Sequence, residues 1–165
     1  MLRRLTFLAL LTFAVVTTAS AQSPPSMPGM PSMPAGMVML TPDEMKWGDG
    51  PAALPPGVKI AMLEGNPAQP GAFAYRLKFP ANYKVPAHTH PVDEHVTVIS
   101  GTFYAGHGSK LSEAESKAFP PGGFFIASAK TPHFAWSKEE TVVQVHGFGP
   151  SGITYVDPAD DPRKK

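Results

Sequence analysis

The chain contains no cysteine. That excludes disulfides and removes thiolate from the available metal ligands, so a bound metal must be held by nitrogen, oxygen or thioether sulfur. A strong charge of either sign is missing too, with 14 Lys and Arg against 13 Asp and Glu in 165 residues. Without a basic stripe, neither nucleic acid nor an anionic membrane surface is a natural partner. The sequence also lacks a glycine-rich phosphate loop, a nucleotide fingerprint and a Ser-His-Asp arrangement. Those gaps set aside nucleotide chemistry and serine hydrolysis. A metal ion or a small molecule is the partner class that survives.

Long apolar runs are scarce as well. The one present, Leu5 to Val16, is too short to cross a bilayer. It follows Arg3-Arg4 and precedes Ala19-Ser20-Ala21, which together make the charged, apolar and small-residue parts of a secretory signal peptide cut before Gln22. The arginine pair lacks the surroundings of a twin-arginine signal, and no cysteine lies near the cleavage site to carry a lipid. Residues 1–21 are therefore read as a signal peptide, and the mature protein is expected in the periplasm or outside the cell. Its balance becomes 12 basic against 13 acidic residues, a formal charge of −1 with His neutral.

Proline is plentiful, 20 in all. Residues 22–46 are built from Ser, Pro, Met and Gly, a composition that forbids helix or central strand and reads as a flexible linker. Its methionines, Met27, Met30, Met33, Met37 and Met39, are also soft thioethers suited to Cu(I). Ordered chain is expected from Trp47, with the indole covering one end of the fold. A domain over 47–157 and a frayed polar tail over 158–165 complete the organisation.

Within that domain the pattern is one of short strands. Phe73, Tyr75, Leu77 and Phe79 alternate with Ala74, Arg76 and Lys78, the period of two that marks a half-buried strand. Further strands are expected over 58–63, 95–100, 102–105, 124–127, 131–136, 141–148 and 153–156, separated by Gly- and Pro-rich turns. Residues 111–118 suit one or two helical turns. Such even spacing indicates an all-β sandwich or barrel rather than βαβ units.

The chemistry gathers in Pro86-Ala-His-Thr-His-Pro-Val-Asp-Glu-His. His88 and His90 are two apart, so on an extended strand their imidazoles share a face. Glu94 follows a short bend that can return a carboxylate over those rings. Two imidazoles and a carboxylate make a ligand set for a divalent transition metal, and His133 can add a fourth from another strand. Fe, Mn, Ni, Cu and Zn all accept it.

The spacing His88-x-His90-x3-Glu94-x6-Gly101, then Gly122 and a late His133, resembles the two-part signature of the cupin superfamily over about residues 58 to 157. The resemblance implies a single-domain cupin β-barrel or jelly roll with His88, His90, Glu94 and His133 as ligands to one divalent metal ion per chain. This sequence departs from the pattern at three places. Ser128-Ala129-Lys130 stands for Pro-x-Gly, Ser137 for a terminal Asn, and Asn82 for an opening glycine. Asn tolerates the left-handed conformation a glycine would take; Lys130 has no such ease.

The remaining histidines divide. His95 should point away from Glu94, and His107 sits in a glycine-flanked loop. Gln144 and His146 share one face of a strand, opposite Val143 and Val145, and line the pocket if that face looks inward or the surface if it looks outward. Tyr104 is the other candidate beside the metal. Phe103, Tyr104, Phe124, Phe125, Phe134 and Trp136 supply walls, one of each adjacent pair facing inward. A centre of this kind leaves one or two coordination positions for water or substrate. The expectation is an exported metalloenzyme of dioxygenase, lyase or isomerase type acting on a small organic molecule. The alternatives are a non-catalytic metal or small-ligand sensor, copper-related through the Met-rich linker, and a structural barrel without metal. Exposed sheet edges predict a homodimer.

Overall fold

A computed structural model describes Gly36 and residues 38–165. The expected signal peptide and most of the linker, with Met27, Met30, Met33 and Met37, lie outside the described residues. Met39 lies within them, and its side chain is exposed.

Among the described residues, eleven strands form two antiparallel sheets. The six-stranded sheet runs β1 (Gly48–Asp49), β2 (Lys59–Glu64), β3 (Gly71–Phe79), β10 (Thr141–Gly149), β5 (Glu94–Ser100) and β8 (Phe124–Ala127) in spatial order. The five-stranded sheet runs β11 (Thr154–Tyr155), β4 (Lys84–Thr89), β9 (His133–Ser137), β6 (Phe103–His107) and β7 (Lys117–Phe119). This is the all-β architecture expected of the strand spacing and the jelly roll that the cupin resemblance implies. No helix is long and apolar enough to cross a membrane among the described residues.

Alternation decides which side chains meet between the sheets. Phe73, Leu77 and Phe79 of β3, Val143 and Val145 of β10, and Val96 and Val98 of β5 are buried on one side; Val85, Phe103, Ala105 and Ala135 answer them from the other. Each such Val, Leu or Phe contributes about 1.5–3 kcal/mol by leaving water. The opposite face of the five-stranded sheet is covered too. Phe134 is completely buried there, and a Cβ on Gly106 would come within 2.5 Å of its ring, so only glycine fits beside it. Gly101 closes the β5–β6 turn at φ +71, where an added Cβ would lie 2.5 Å from the Glu140 carbonyl.

The two glycine replacements behave alike. Asn82 and Lys130 both adopt φ 59, so each takes the left-handed turn that a glycine would have made. For Lys130 this costs about 1–2 kcal/mol. The turn is held by its own N–H, which donates to the His90 carbonyl at 2.8 Å.

Four expectations change. No helix forms over 111–118; the chain makes a tight turn and enters β7 at Lys117. Ser116 explains this locally. Its hydroxyl donates to the Ser112 carbonyl at 2.8 Å and accepts the Trp136 indole N–H at 2.8 Å, so side-chain bonding competes with a helix. Trp47 does not cap the barrel. Lys78, on the outer face of β3, places its ammonium 4.7 Å from the indole centre. Ordered chain starts before Trp47, with a 3-10 turn over Pro42–Glu44 and a buried Met45 whose sulfur accepts from Arg76 Nη1 at 3.5 Å. The C-terminal tail is ordered in two 3-10 turns, Pro158–Asp160 and Pro162–Lys164. Each is capped by an Asp before a proline, and Asp161 also binds Arg163 at 2.7 Å. An Asp-Pro pair is a start signal whose two halves act together: the carboxylate takes an orphan N–H, and proline is already at the helical φ.

Candidate metal centre

β4 pairs with β9 so that His88 lies directly opposite His133, after an irregularity between Val85 and His88. His90 follows just beyond the end of β4. The ring centroids lie 4.9 Å (His88–His90), 4.3 Å (His88–His133) and 5.0 Å (His90–His133) apart. One ring nitrogen from each falls within 4.8 Å of the others, and all three side chains are buried.

Each ring has its second nitrogen occupied. His88 Nδ1 bonds the Pro86 carbonyl at 2.7 Å, His90 Nδ1 the Gly152 carbonyl at 2.9 Å, and His133 Nδ1 the Thr131 carbonyl at 2.9 Å. A carbonyl only accepts, so Nδ1 carries the proton and Nε2 keeps its lone pair. This is the second-sphere arrangement that orients metal-binding imidazoles. Burial, then the neighbouring His133 and His90, pushes the His88 pKa down to about 3. His133 is pushed down to about 4, chiefly by burial, with His90 and His107 adding to the effect against the Thr131 bond. Neutral imidazole is the metal-binding form, so near neutral pH neither proton nor charge opposes an ion. Three buried, oriented imidazoles suit a divalent first-row transition metal.

Glu94 lines the same chamber and is equally buried, but it is not one of this converging group. Its Oε1 lies 3.5 Å from His90 Nδ1 and accepts the Ser151 hydroxyl at 2.5 Å. Tyr75 also faces the chamber, and its phenol is held well above its ordinary range, first by burial and then by the charge of Glu94. The rest of the lining is apolar, including Leu54, Val96, Phe125, Val143, Val145 and Ile153, around a free volume of about 90 Å³. That admits a molecule of a few heavy atoms.

Gln144, His146 and Tyr104 stand elsewhere. Val143 and Val145 take the inner face of β10, which turns Gln144 and His146 outward. Gln144 Oε1 accepts from Arg76 Nε at 3.1 Å, and His146 stacks on His95 at 4.9 Å. Tyr104 lies outside the five-stranded sheet, stacked 4.0 Å from Trp136, because Phe103 and Ala105 occupy the inner positions. His107 ends β6 opposite His133 and is exposed, so it belongs to a strand rather than a loop. Tyr75, Ser151 and Gly152 were not anticipated at the site. Tyr75 had a signal, since it shares the apolar face of β3. Ser151 and Gly152 had none, since only the return of the chain from β10 brings them to His90 and Glu94.

Residues 35–152 match the family of ChrR cupin-like domains. The chain belongs to that family. Solved cupin structures agree with the fold. The polyketide cyclase RemF of Streptomyces resistomycificus superposes with a TM-score of 0.61 at 14% identity, over 78% of this chain and 92% of its own. A candidate acetylacetone dioxygenase of Methylibium petroleiphilum gives 0.58 at 19% identity, over 81% and 90%. An RmlC-like cupin of Ralstonia eutropha gives 0.56 at 19% identity, over 78% and 76%. No curated protein matches this cupin in sequence.

Proposed function

We propose that this cupin binds one divalent transition-metal ion through His88, His90 and His133 and acts on a small, mainly apolar organic molecule. The observation that carries the reading is that all three Nδ1 atoms are tied to backbone carbonyls, which leaves each Nε2 lone pair free, in three buried rings that each bring a nitrogen within 4.8 Å of the others. Bound there, an ion supplies Lewis acidity, oxygen activation or an acidified water. The chain holds and orients it, and the wall of Leu, Val and Phe side chains excludes bulk water. Glu94 and Tyr75 are the only polar groups beside the three histidines on that wall, among the described residues. The reaction class is dioxygenase- or lyase-type, and two neighbours described as a candidate dioxygenase and a cyclase fit it. That sparse acid–base equipment also supports a second reading, a non-catalytic metal or small-ligand sensor with the Met-rich linker handling copper.

Export rests on the residue 1–21 pattern. A homodimer rests on Phe124 and Ile126, exposed on edge strand β8 beside the similarly exposed Ile99 of β5. The deciding experiment is elemental analysis of wild type and His88→Ala from the exported fraction. About one equivalent of metal in wild type and none in the variant is expected. Copper retained by both would move the metal to the methionines, and no metal in either would overturn the reading.

A further inference from the structure

The two sheets part beside His133. β7 pairs with β6 from Phe103 to Ala105, and Gly106 and His107 extend past it. His107 lies directly opposite His133, and across the gap Ala127 of β8 lies opposite Glu94. The gap therefore stands at the level of the three imidazoles. It holds a vestibule of about 190 Å³, and Phe125, Ala127 and His133 line both this vestibule and the metal chamber. Phe125 packs on Phe119 at 4.9 Å, which gives the shared wall an aromatic side, while Ala127 leaves the other side low. His107, Glu115 and Lys117 stand exposed at the outer rim, with the Lys117 ammonium 5.4 Å from the Phe119 ring centre. One fixed cation and one fixed anion cancel there, so the rim rewards hydrogen bonding rather than charge of either sign.

We propose that this vestibule is a second subsite, in which the far end of a ligand lies while its head meets the ion. The proposal rests on the reading that an ion sits on the three histidines. The chamber's free volume, about 90 Å³, is filled by a few heavy atoms, so a longer molecule needs a way out. Low Ala127 beside the Phe125 ring supplies one for an unbranched chain. The ligand class is then an oxygen-bearing head on a slim apolar chain, with a polar far end reaching His107, Glu115 and Lys117.

The test loads the mature chain with Co²⁺ and follows two hydroxamates by visible absorption. Octanohydroxamate should bind wild type about tenfold more tightly than acetohydroxamate, the burial of about two methylenes. Ala127→Leu fills the passage and should abolish that gain while leaving acetohydroxamate affinity unchanged. Because the chain has no cysteine, Lys117→Cys places a single thiol at the exposed rim. Octanohydroxamate at about ten times its Kd should slow maleimide alkylation of that thiol about tenfold, the share of chain left unliganded. Acetohydroxamate at the same saturation should not slow it. An unprotected thiol under bound octanohydroxamate would overturn the proposal. So would octanohydroxamate binding no better than acetohydroxamate, or Ala127→Leu leaving the gain intact. Should Ala127→Leu fail to fold, the Lys117→Cys rates still decide. Failure of wild type to take up Co²⁺ would instead refute the three-histidine metal reading, and this proposal with it.

Discussion

Acidifying the metal-free protein should cost stability through the very burial that prepares the site. His88 is held neutral, with its pKa pushed from 6.5 down to about 3. The unfolded chain therefore binds this proton from about pH 6.5 downward, while the folded chain refuses it until about pH 3. With a folded pKa below the unfolded one for a basic group, stability falls as pH falls across that window. Each pH unit costs about 1.4 kcal/mol, so by pH 4.5 the His88 contribution is roughly 3 kcal/mol. His133, pushed down to about 4, works in the same direction, but the two are coupled and their costs do not simply add. The assay is urea unfolding of chelator-treated wild type and His88→Gln at pH 7.0, 5.5 and 4.5. Carboxylates elsewhere titrate alike in both proteins, so the difference isolates the imidazole. Wild type should lose about 3 kcal/mol more than the variant between pH 7.0 and 4.5. Parallel curves would refute the argument, because they would mean that the buried ring carries no desolvation penalty.

Other outcomes follow from single side chains. Phe134→Ala removes a fully buried ring wedged against Gly106 and should cost about 3–5 kcal/mol in a denaturant melt. Lys130→Gly relieves a left-handed backbone and should stabilise by up to about 1 kcal/mol, whereas Lys130→Val should destabilise, both read from urea midpoints. Light scattering should give twice the chain mass for wild type, with Phe124→Lys shifting it toward the monomer; a monomeric wild type ends the dimer proposal.

Much of the fold was legible because a strand repeats every two residues and the apolar residues obey that repeat. Phe73, Leu77 and Phe79 announce an inner face without any knowledge of the partner sheet. The histidine pair was legible for the same reason, and the late His133 through the cupin-like spacing. Local chemistry misled where two local signals competed. Residues 111–118 suit a helix by composition, yet Ser112 and Ser116 bond across a turn and anchor Trp136. The Asp-Pro caps of the tail were present in the sequence but outweighed by its polarity.

What the sequence alone determined is the period of its strands and the residue types able to hold a metal, because both depend on neighbours within a few positions. What only tertiary structure decided is direction. Gln144 and His146 face outward because Val143 and Val145 find the opposing sheet, and burial of valine outweighs burial of an amide or imidazole. Glu94 faces Ser151, 57 residues away in the chain, because the segment after β10 folds back over the end of the barrel. No periodicity encodes that meeting, since it depends on where a whole sheet places its loops.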